Sequence, residues 1–159
     1  MVPITISFTP NNLGRIVFLA QMMTGDRKNL NDVLFKLDTG SDFTTISCDD
    51  LDRLGYSPEY LKSCPRHEVR ASLASDELRV PLQYIPNVSI KFGERELQHC
   101  RIFFALGTKL RSLFGTDILK YFKMEICYDI GEFKLTKREE KPLLSTGETP
   151  IQIYSIEQK

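Results

Sequence analysis

Residues 35–46, which read FKLDTGSDFTTI, carry the most informative pattern in the sequence. An apolar run with strand character leads to Asp38, and small hydrogen-bonding residues follow it before a second β-like run begins. A carboxylate held on such a turn has the position that a general acid or base requires. The same pattern also fits an Asx-turn, in which the Asp side chain only stabilises its own backbone. Both interpretations stay open from this stretch alone.

The composition limits what the rest of the chain can be. Its 159 residues fit one domain, and 42% hydrophobic residues favour a packed core over disorder. Lys and Arg number 21, as do Asp and Glu, so the charge balance gives no support for a nucleic-acid partner. No apolar run has transmembrane length, and the first residues lack the features of a signal peptide. We therefore predict a cytoplasmic protein with no membrane partner.

The cysteines and histidines do not have the spacing of a metal site. They are Cys48, Cys64, Cys100, Cys127, His67 and His99. No C-x-x-C pair occurs, and no histidine stands at a ligand spacing from a cysteine. We predict reduced thiols, histidines that pack or form hydrogen bonds, no metal and no cofactor.

Strand signals dominate the chain, so the predicted class is mostly β with two or three short helices. A first helix is expected after the capping residue Ser47, with Gly55 as its stop, and a second after Ser57. A third short helix is expected after Gly115, with Thr116 or Asp117 as its cap.

The chain contains two segments of similar plan, but one carries the carboxylate. Leu113, Phe114 and Gly115 form a second strand end with a Gly turn and a helix, and this turn has no Asp in the place of Asp38. A pair of carboxylates that share one proton can both activate water and protonate a carbonyl, because like charges about 3 Å apart split their pKa values. A chain with one such Asp supplies a pair only through a two-fold dimer.

With these motifs in order, DTGS at residues 38–41 and LFGTDIL at residues 113–119, the chain resembles the retropepsin-like aspartic proteases, in particular their cellular and bacterial single-domain members. The resemblance covers roughly residues 14–136. It implies a closed β-barrel of the single-lobe acid-protease type. The expected domain is residues 1–136, followed by a charged extension over residues 137–159 that is a terminal strand or disordered.

The resemblance also implies roles for the residues of the first turn. Asp38 would be the catalytic carboxylate, and Thr39 would join the two copies of the turn across a homodimer. Gly40 would permit the close approach of substrate. Ser41 would donate its hydroxyl to the carboxylate of Asp38 and lower its pKa. The turn of Leu113, Phe114 and Gly115 would be its structural counterpart.

A flap over the substrate is expected at a hairpin tip. Its residues would be Leu73, Ala74, Ser75 and Asp76. Many members of the family have a Gly-rich tip, and this chain has none there. The expected substrate pockets are apolar, with candidate residues Ile16, Phe18, Leu73, Leu78, Phe103, Leu110 and Leu113.

The function predicted from these residues is that of an aspartic endopeptidase, active as a homodimer, that hydrolyses peptide bonds with an Asp-activated water. Its partners would be a second copy of itself and a peptide or protein substrate. The alternative is a catalytically weak or inactive retropepsin-like module for dimerisation or peptide binding, which the Gly-poor flap motivates.

Overall fold

The computed structural model describes residues 3–10, 14–23, 30–67, 71–72, 79–93, 95–138 and 152–155. The strands are β1 (Ile4–Ser7), β2 (Thr9–Pro10), β3 (Ile16–Met23), β4 (Leu30–Leu37), β5 (Ala71–Ser72), β6 (Arg79–Val80), β7 (Gln83–Phe92), β8 (Arg95–Phe104), β9 (Leu113–Phe114), β10 (Phe122–Cys127), β11 (Glu132–Lys137) and β12 (Gln152–Ser155). The helices are α1 (Cys48–Arg53), α2 (Pro58–Ser63) and α3 (Thr116–Leu119), and Tyr128–Ile130 forms a 3₁₀ turn. The prediction of a mostly β protein with a few short helices is confirmed.

Most strands belong to one sheet with the order β12-β8-β7-β3-β4-β9, and β2 adds to β3. Its pairs are antiparallel except for β4 and β9, which run parallel. A second sheet has the order β1-β11-β10, and β5 pairs with β6. The parallel pair is the important one for the site, because β4 leads to Asp38 and β9 leads to Gly115.

The large sheet curls into a half-barrel, and single-residue bridges link its two sides. Thr45 forms one bridge with Phe103 at the end of β8 and another with Leu113 at the start of β9. The backbone N–H of Thr45 donates to the Leu113 carbonyl at 2.9 Å, and that of Ile46 donates to the Phe103 carbonyl at 2.9 Å. The chain that leaves the Asp38 turn therefore lies between both sides of the sheet.

The core lies under the strands that carry the two turns. Burial alternates along β3 as the two-residue period of a strand requires, and Phe18 is 1% exposed. Phe18 packs edge-to-face on Phe114 and Phe133, with ring centroids 5.5 Å and 5.2 Å away, and stacks on Phe35 at 6.1 Å. Each such ring contributes about 1.5–3 kcal/mol through burial. This cluster fixes β4 against β9.

The first two helices begin where the sequence predicts. The hydroxyl of Ser47 accepts the N–H of Asp50 at 3.1 Å, and that of Ser57 accepts the N–H of Tyr60 at 3.2 Å. Gly55, just after α1, has a φ of 86°, a left-handed value that favours glycine. These helix predictions are confirmed.

The third helix begins differently from the prediction. Its N-cap is Gly115, and no side chain caps it. The expected caps, Thr116 and Asp117, are inside the helix. The Thr116 hydroxyl bonds to the Ser41 carbonyl, and Asp117 Oδ1 accepts both the Thr44 hydroxyl and the N–H of Ile118. The expectation was wrong because Gly115 takes the N-cap position and both polar groups have partners in the segment after Asp38, which sequence spacing does not reveal.

No helix in the described part of the chain combines the length and the hydropathy that crossing a bilayer requires.

Candidate active site

Asp38 lies directly after β4, on a turn that its own side chain helps to form. The N–H of Gly40 donates to Asp38 Oδ1 at 2.9 Å, which is an Asx-turn. The N–H of Ser41 donates to the Asp38 carbonyl at 3.2 Å. Asp38 is half-buried, and Thr39 and Gly40 are exposed. The carboxylate is therefore oriented by its turn and remains accessible from outside the chain.

The second turn holds the first one in place. The N–H of Asp38 donates to the Phe114 carbonyl at 3.0 Å, and the N–H of Thr116 donates to the Ser41 carbonyl at 2.8 Å. The hydroxyl of Thr116 reaches the same Ser41 carbonyl at 3.1 Å. The structure thus brings Asp38 and the turn of residues 113–115 together, as the sequence motifs suggest.

Gly115 is required by this close approach. A Cβ added there would lie 2.4 Å from the Phe43 carbonyl oxygen and 2.8 Å from that of Ser41. Both contacts are with backbone, so a side chain cannot be accommodated by a rotamer change.

Thr44 connects the two turns, and sequence reasoning missed it. Its hydroxyl accepts the N–H of Gly115 at 3.0 Å and donates to Asp117 Oδ1 at 2.7 Å. Thr44 is fully buried. A buried threonine is a signal of such a bond, because its hydroxyl needs a partner.

Asp117, which is half-buried, is the other end of that chain of hydrogen bonds. Besides the Thr44 hydroxyl, its Oδ1 accepts the N–H of Ile118 at 2.9 Å. Burial raises the pKa of Asp117, and the bonds from the backbone and hydroxyl of Thr44 and from Ile118 offset only part of this effect. Asp117 therefore acts as a structural acceptor inside α3, and the interpretation as a helix cap was wrong.

The expected bond between Ser41 and the carboxylate of Asp38 is not formed. The Ser41 hydroxyl donates to the Phe43 carbonyl at 2.7 Å. A hydroxyl carries one hydrogen, so in this arrangement Ser41 does not donate to Asp38. Ser41 instead stabilises the turn.

Phe43 anchors the segment that follows the turn. Its ring lies 5.2 Å from the imidazole of His67 and 4.8 Å from the ring of Phe103. The second histidine, His99, has its Nδ1 2.9 Å from Asn87 Oδ1. The expectation that the histidines pack or form hydrogen bonds is confirmed. Across the ranges in the structure, no group of three or more His, Cys, Asp or Glu side chains could hold a metal ion.

A cleft of about 610 Å³ lies beside the site. It is lined by Arg15, Val17, Leu34, Lys36, Ser47, Cys48, Asp49, Asp50, Thr108, Lys109, Leu110, Arg111 and Ser112. Lys36 is two residues before Asp38, and its N–H donates to the Ser112 carbonyl at 3.1 Å. One wall of the cleft is thus the strand that leads to Asp38.

This cleft contains one of the residues that we expected in apolar substrate pockets. Of those in the described ranges, Leu110 lines it, Leu113 is half-buried and does not line it, and Ile16, Phe18 and Phe103 are buried in the core. Apolar character alone does not distinguish a pocket wall from a core residue, so the substrate pockets stay a prediction.

The expected flap residues lie outside the described residues. They are Leu73, Ala74, Ser75 and Asp76, and Leu78 is outside as well. The strands that flank them, β5 and β6, pair antiparallel, with Ala71 opposite Val80 and Ser72 opposite Arg79.

Comparison with known proteins gives a likeness of fold. No family model matches the chain, and no curated protein matches it. Among solved structures, a retropepsin-like aspartic protease from Rickettsia conorii matches with a TM-score of 0.53 and 21% sequence identity, over 84% of this chain and 90% of that chain. At this identity the likeness establishes the fold alone. The half-barrel sheet and the two joined turns therefore belong to a retropepsin-like fold.

Proposed function

We propose that this protein is an aspartic endopeptidase that works as a homodimer. The observation that carries the proposal is the position of Asp38, accessible on a turn that a second Gly turn fixes through the Phe114 carbonyl. The retropepsin-like fold supports it, since the matched structure is described as an aspartic protease. The fully closed barrel, with the domain at residues 1–136 and an extension at 137–159, belongs to the same proposal.

The proposed dimer follows from the count of carboxylates at the two turns. The second turn carries Gly115 at its centre, and its nearby Asp117 is already bound by Thr44 and Ile118. A partner for Asp38 must then come from the Asp38 of a second copy across a two-fold axis. Thr39 is exposed on the turn, and in the proposed dimer it bonds to that copy.

In the proposed reaction, the two Asp38 carboxyl groups share one proton and hold a water molecule. The ionised carboxylate takes a proton from the water, whose oxygen attacks the peptide carbonyl carbon. The other carboxyl group protonates the carbonyl oxygen. The tetrahedral intermediate then expels the amine, which receives a proton from the first carboxyl group, while the second carboxylate takes a proton from one hydroxyl of the intermediate. The products are a carboxylic acid and an amine, and the two Asp38 residues again share one proton. No covalent bond to the enzyme forms.

The alternative proposal is a retropepsin-like module that dimerises or binds peptides with weak or no proteolysis. The Gly-poor hairpin tip favours it, because closure of a lid over the substrate needs mobility at that tip. An accessible carboxylate on a fixed turn favours the enzyme, since a pure binding module does not need an acid that faces its own copy.

Peptide cleavage by an Asp38→Asn variant tests the proposal. Asn keeps the acceptor for the Gly40 N–H and removes the acid, so the fold should persist while cleavage falls by at least about a thousandfold. Asp42→Asn is the matched control, because Asp42 is exposed in the same loop. Cleavage by Asp38→Asn at the rate of the unmodified chain excludes the proposal. Binding of peptides without turnover by the unmodified chain favours the alternative.

A further inference from the structure

The cleft beside Asp38 is rich in positive charge. Arg15, Lys36, Lys109 and Arg111 line it. They come from the residue before β3, from β4 and from the loop before β9, so no single run of sequence carries this charge. Arg15 already has an interaction of its own, and two carboxylates, Asp49 and Asp50, also line the cleft.

One of those carboxylates is already engaged. Asp50 Oδ2 accepts the Ser112 hydroxyl at 2.5 Å, and its Oδ1 accepts Arg53 at 3.0 Å. Burial alone would raise the pKa of Asp50, but hydrogen bonds from Ser112, Arg53 and Ser47 outweigh it and lower the pKa. Asp50 is therefore an anion whose charge is matched within the chain. The charge of Lys36, Lys109 and Arg111 is thus set against one further carboxylate in the lining, the exposed Asp49.

The cleft also has an apolar part. Val17, Leu34 and Leu110 belong to its lining, and the Leu34 side chain is 59% exposed. Val33 and Phe35, on either side of Leu34, point into the core. The exposed side chain of Leu34 shares the outer face of β4 with that of Lys36, because alternate residues of a strand point the same way. An occupant would meet apolar surface next to positive charge.

The separation of Lys36, in the cleft lining, from Asp38 follows from the geometry of the strand. Lys36 precedes Asp38 by two residues, which is roughly 7 Å of extended chain at the usual rise of a strand. A peptide bound along this face would place side chains about two residues from the scissile bond in the cleft.

We propose that this cleft selects peptide substrates with an acidic side chain within about two or three residues of the scissile bond, next to an apolar one. The inference rests on the proposed function, because it treats Asp38 as the reacting group. It adds the class of substrate that the cleft would accept.

The test compares paired peptides that differ only in Glu or Gln. Each peptide has a central Phe-Leu bond and carries the acid or its amide at one of the three positions on either side. At low salt, at least one Glu peptide should show a kcat/KM about tenfold above that of its Gln twin, as expected for two or three partly exposed ion pairs. About 0.5 M NaCl should remove most of this preference.

Variants locate the preference in the cleft. Lys36→Gln with Arg111→Gln should bring the Glu-to-Gln ratio close to one, and Lys109→Gln in the loop should reduce it with little risk to the fold. Lys134→Gln is the control, because Lys134 is an exposed cation of β11 that does not line the cleft. Equal kcat/KM for every pair overturns the inference and leaves the proposed function standing.

Binding separates the two claims if no peptide is cleaved. Fluorescein-labelled versions of the same peptides are titrated with the unmodified chain and with the cleft variants. Tighter binding of Glu peptides that Lys109→Gln weakens supports the cleft, even where the proposed protease activity fails. Equal binding of the Glu and Gln twins overturns the inference by this route as well.

Discussion

The two Gly turns of this chain are built to the same plan and differ in what surrounds them. At the first turn, Thr39 and Gly40 are exposed and Asp38 is half-buried. At the second, Phe114 and Gly115 are buried and bonded to the first turn. The first turn presents an accessible carboxylate, and the second one holds it in place through backbone hydrogen bonds. Under the proposed function, a single chain therefore supplies one support and one half of a catalytic pair.

The largest difference in stability between the two turns is expected when each glycine is replaced by alanine. Gly115→Ala places a Cβ 2.4 Å from the Phe43 carbonyl oxygen, so it should destabilise the fold by about 3 kcal/mol or more. Gly40→Ala meets only Asp38 Oδ1, at 3.2 Å, and should change stability by less than about 1 kcal/mol. Urea unfolding of both variants measures the difference. Equal losses would contradict the view that the second turn is the rigid one.

The next largest difference between the turns is expected when Thr44 and Thr39 are each replaced by valine. Thr44→Val removes a buried hydroxyl that bonds to both Gly115 and Asp117, so unfolding free energy should fall by about 1–3 kcal/mol. Thr39→Val, on the exposed turn, should leave the stability of the monomer unchanged and weaken dimerisation. Denaturant unfolding and sedimentation equilibrium measure the two effects separately. A Thr44 variant as stable as the unmodified chain would count against a structural bridge.

A smaller effect is expected from Asp117→Asn, and it depends on pH. The pKa of Asp117 is raised in the folded state, so its favourable contribution is complete below the unfolded pKa and is lost as pH rises through the folded value. Asn keeps an acceptor for Thr44 and avoids the buried charge. The variant should melt a few degrees higher than the unmodified chain at about pH 7, with this gain vanishing near pH 3.5.

Asp117→Ala is the control, since it removes the acceptor and should lower the melting temperature at both pH values. A gain for Asp117→Asn that does not vary with pH would show that the carboxylate is not the cause.

Local chemistry explains what the sequence could predict. Ser47 and Ser57 cap their helices through bonds to residues three positions away, and such short-range bonds are readable from spacing. The mostly β class follows from alternating apolar residues. The pairing of the Asp38 turn with the Gly115 turn came from the resemblance rather than from periodicity.

Contacts between distant segments explain what the sequence could not predict. The hydrogen bond from Gly115 to Thr44 joins residues 71 positions apart, and neither sequence motif predicts it. Ser41 is close to Asp38 in the sequence, yet its hydroxyl donates to the Phe43 carbonyl. The cations of the cleft come from separate segments, so a balanced overall charge concealed them. The sequence period predicts which face of a strand a residue occupies, but it does not predict which distant segment that face contacts.

The proposed pairing of two Asp38 residues across a dimer is tested by titrating the Asp38→Asn chain into a fixed amount of the unmodified chain and following peptide cleavage. If each Asp38 works only against the Asp38 of a second copy, mixed dimers are inactive, and activity per unmodified chain falls as the variant is added and the subunits exchange. Asp42→Asn chains added in the same way should not lower it. The proposed dimeric site would be contradicted if activity stayed constant as Asp38→Asn chains were added and the active species had the 18.3 kDa mass of a monomer.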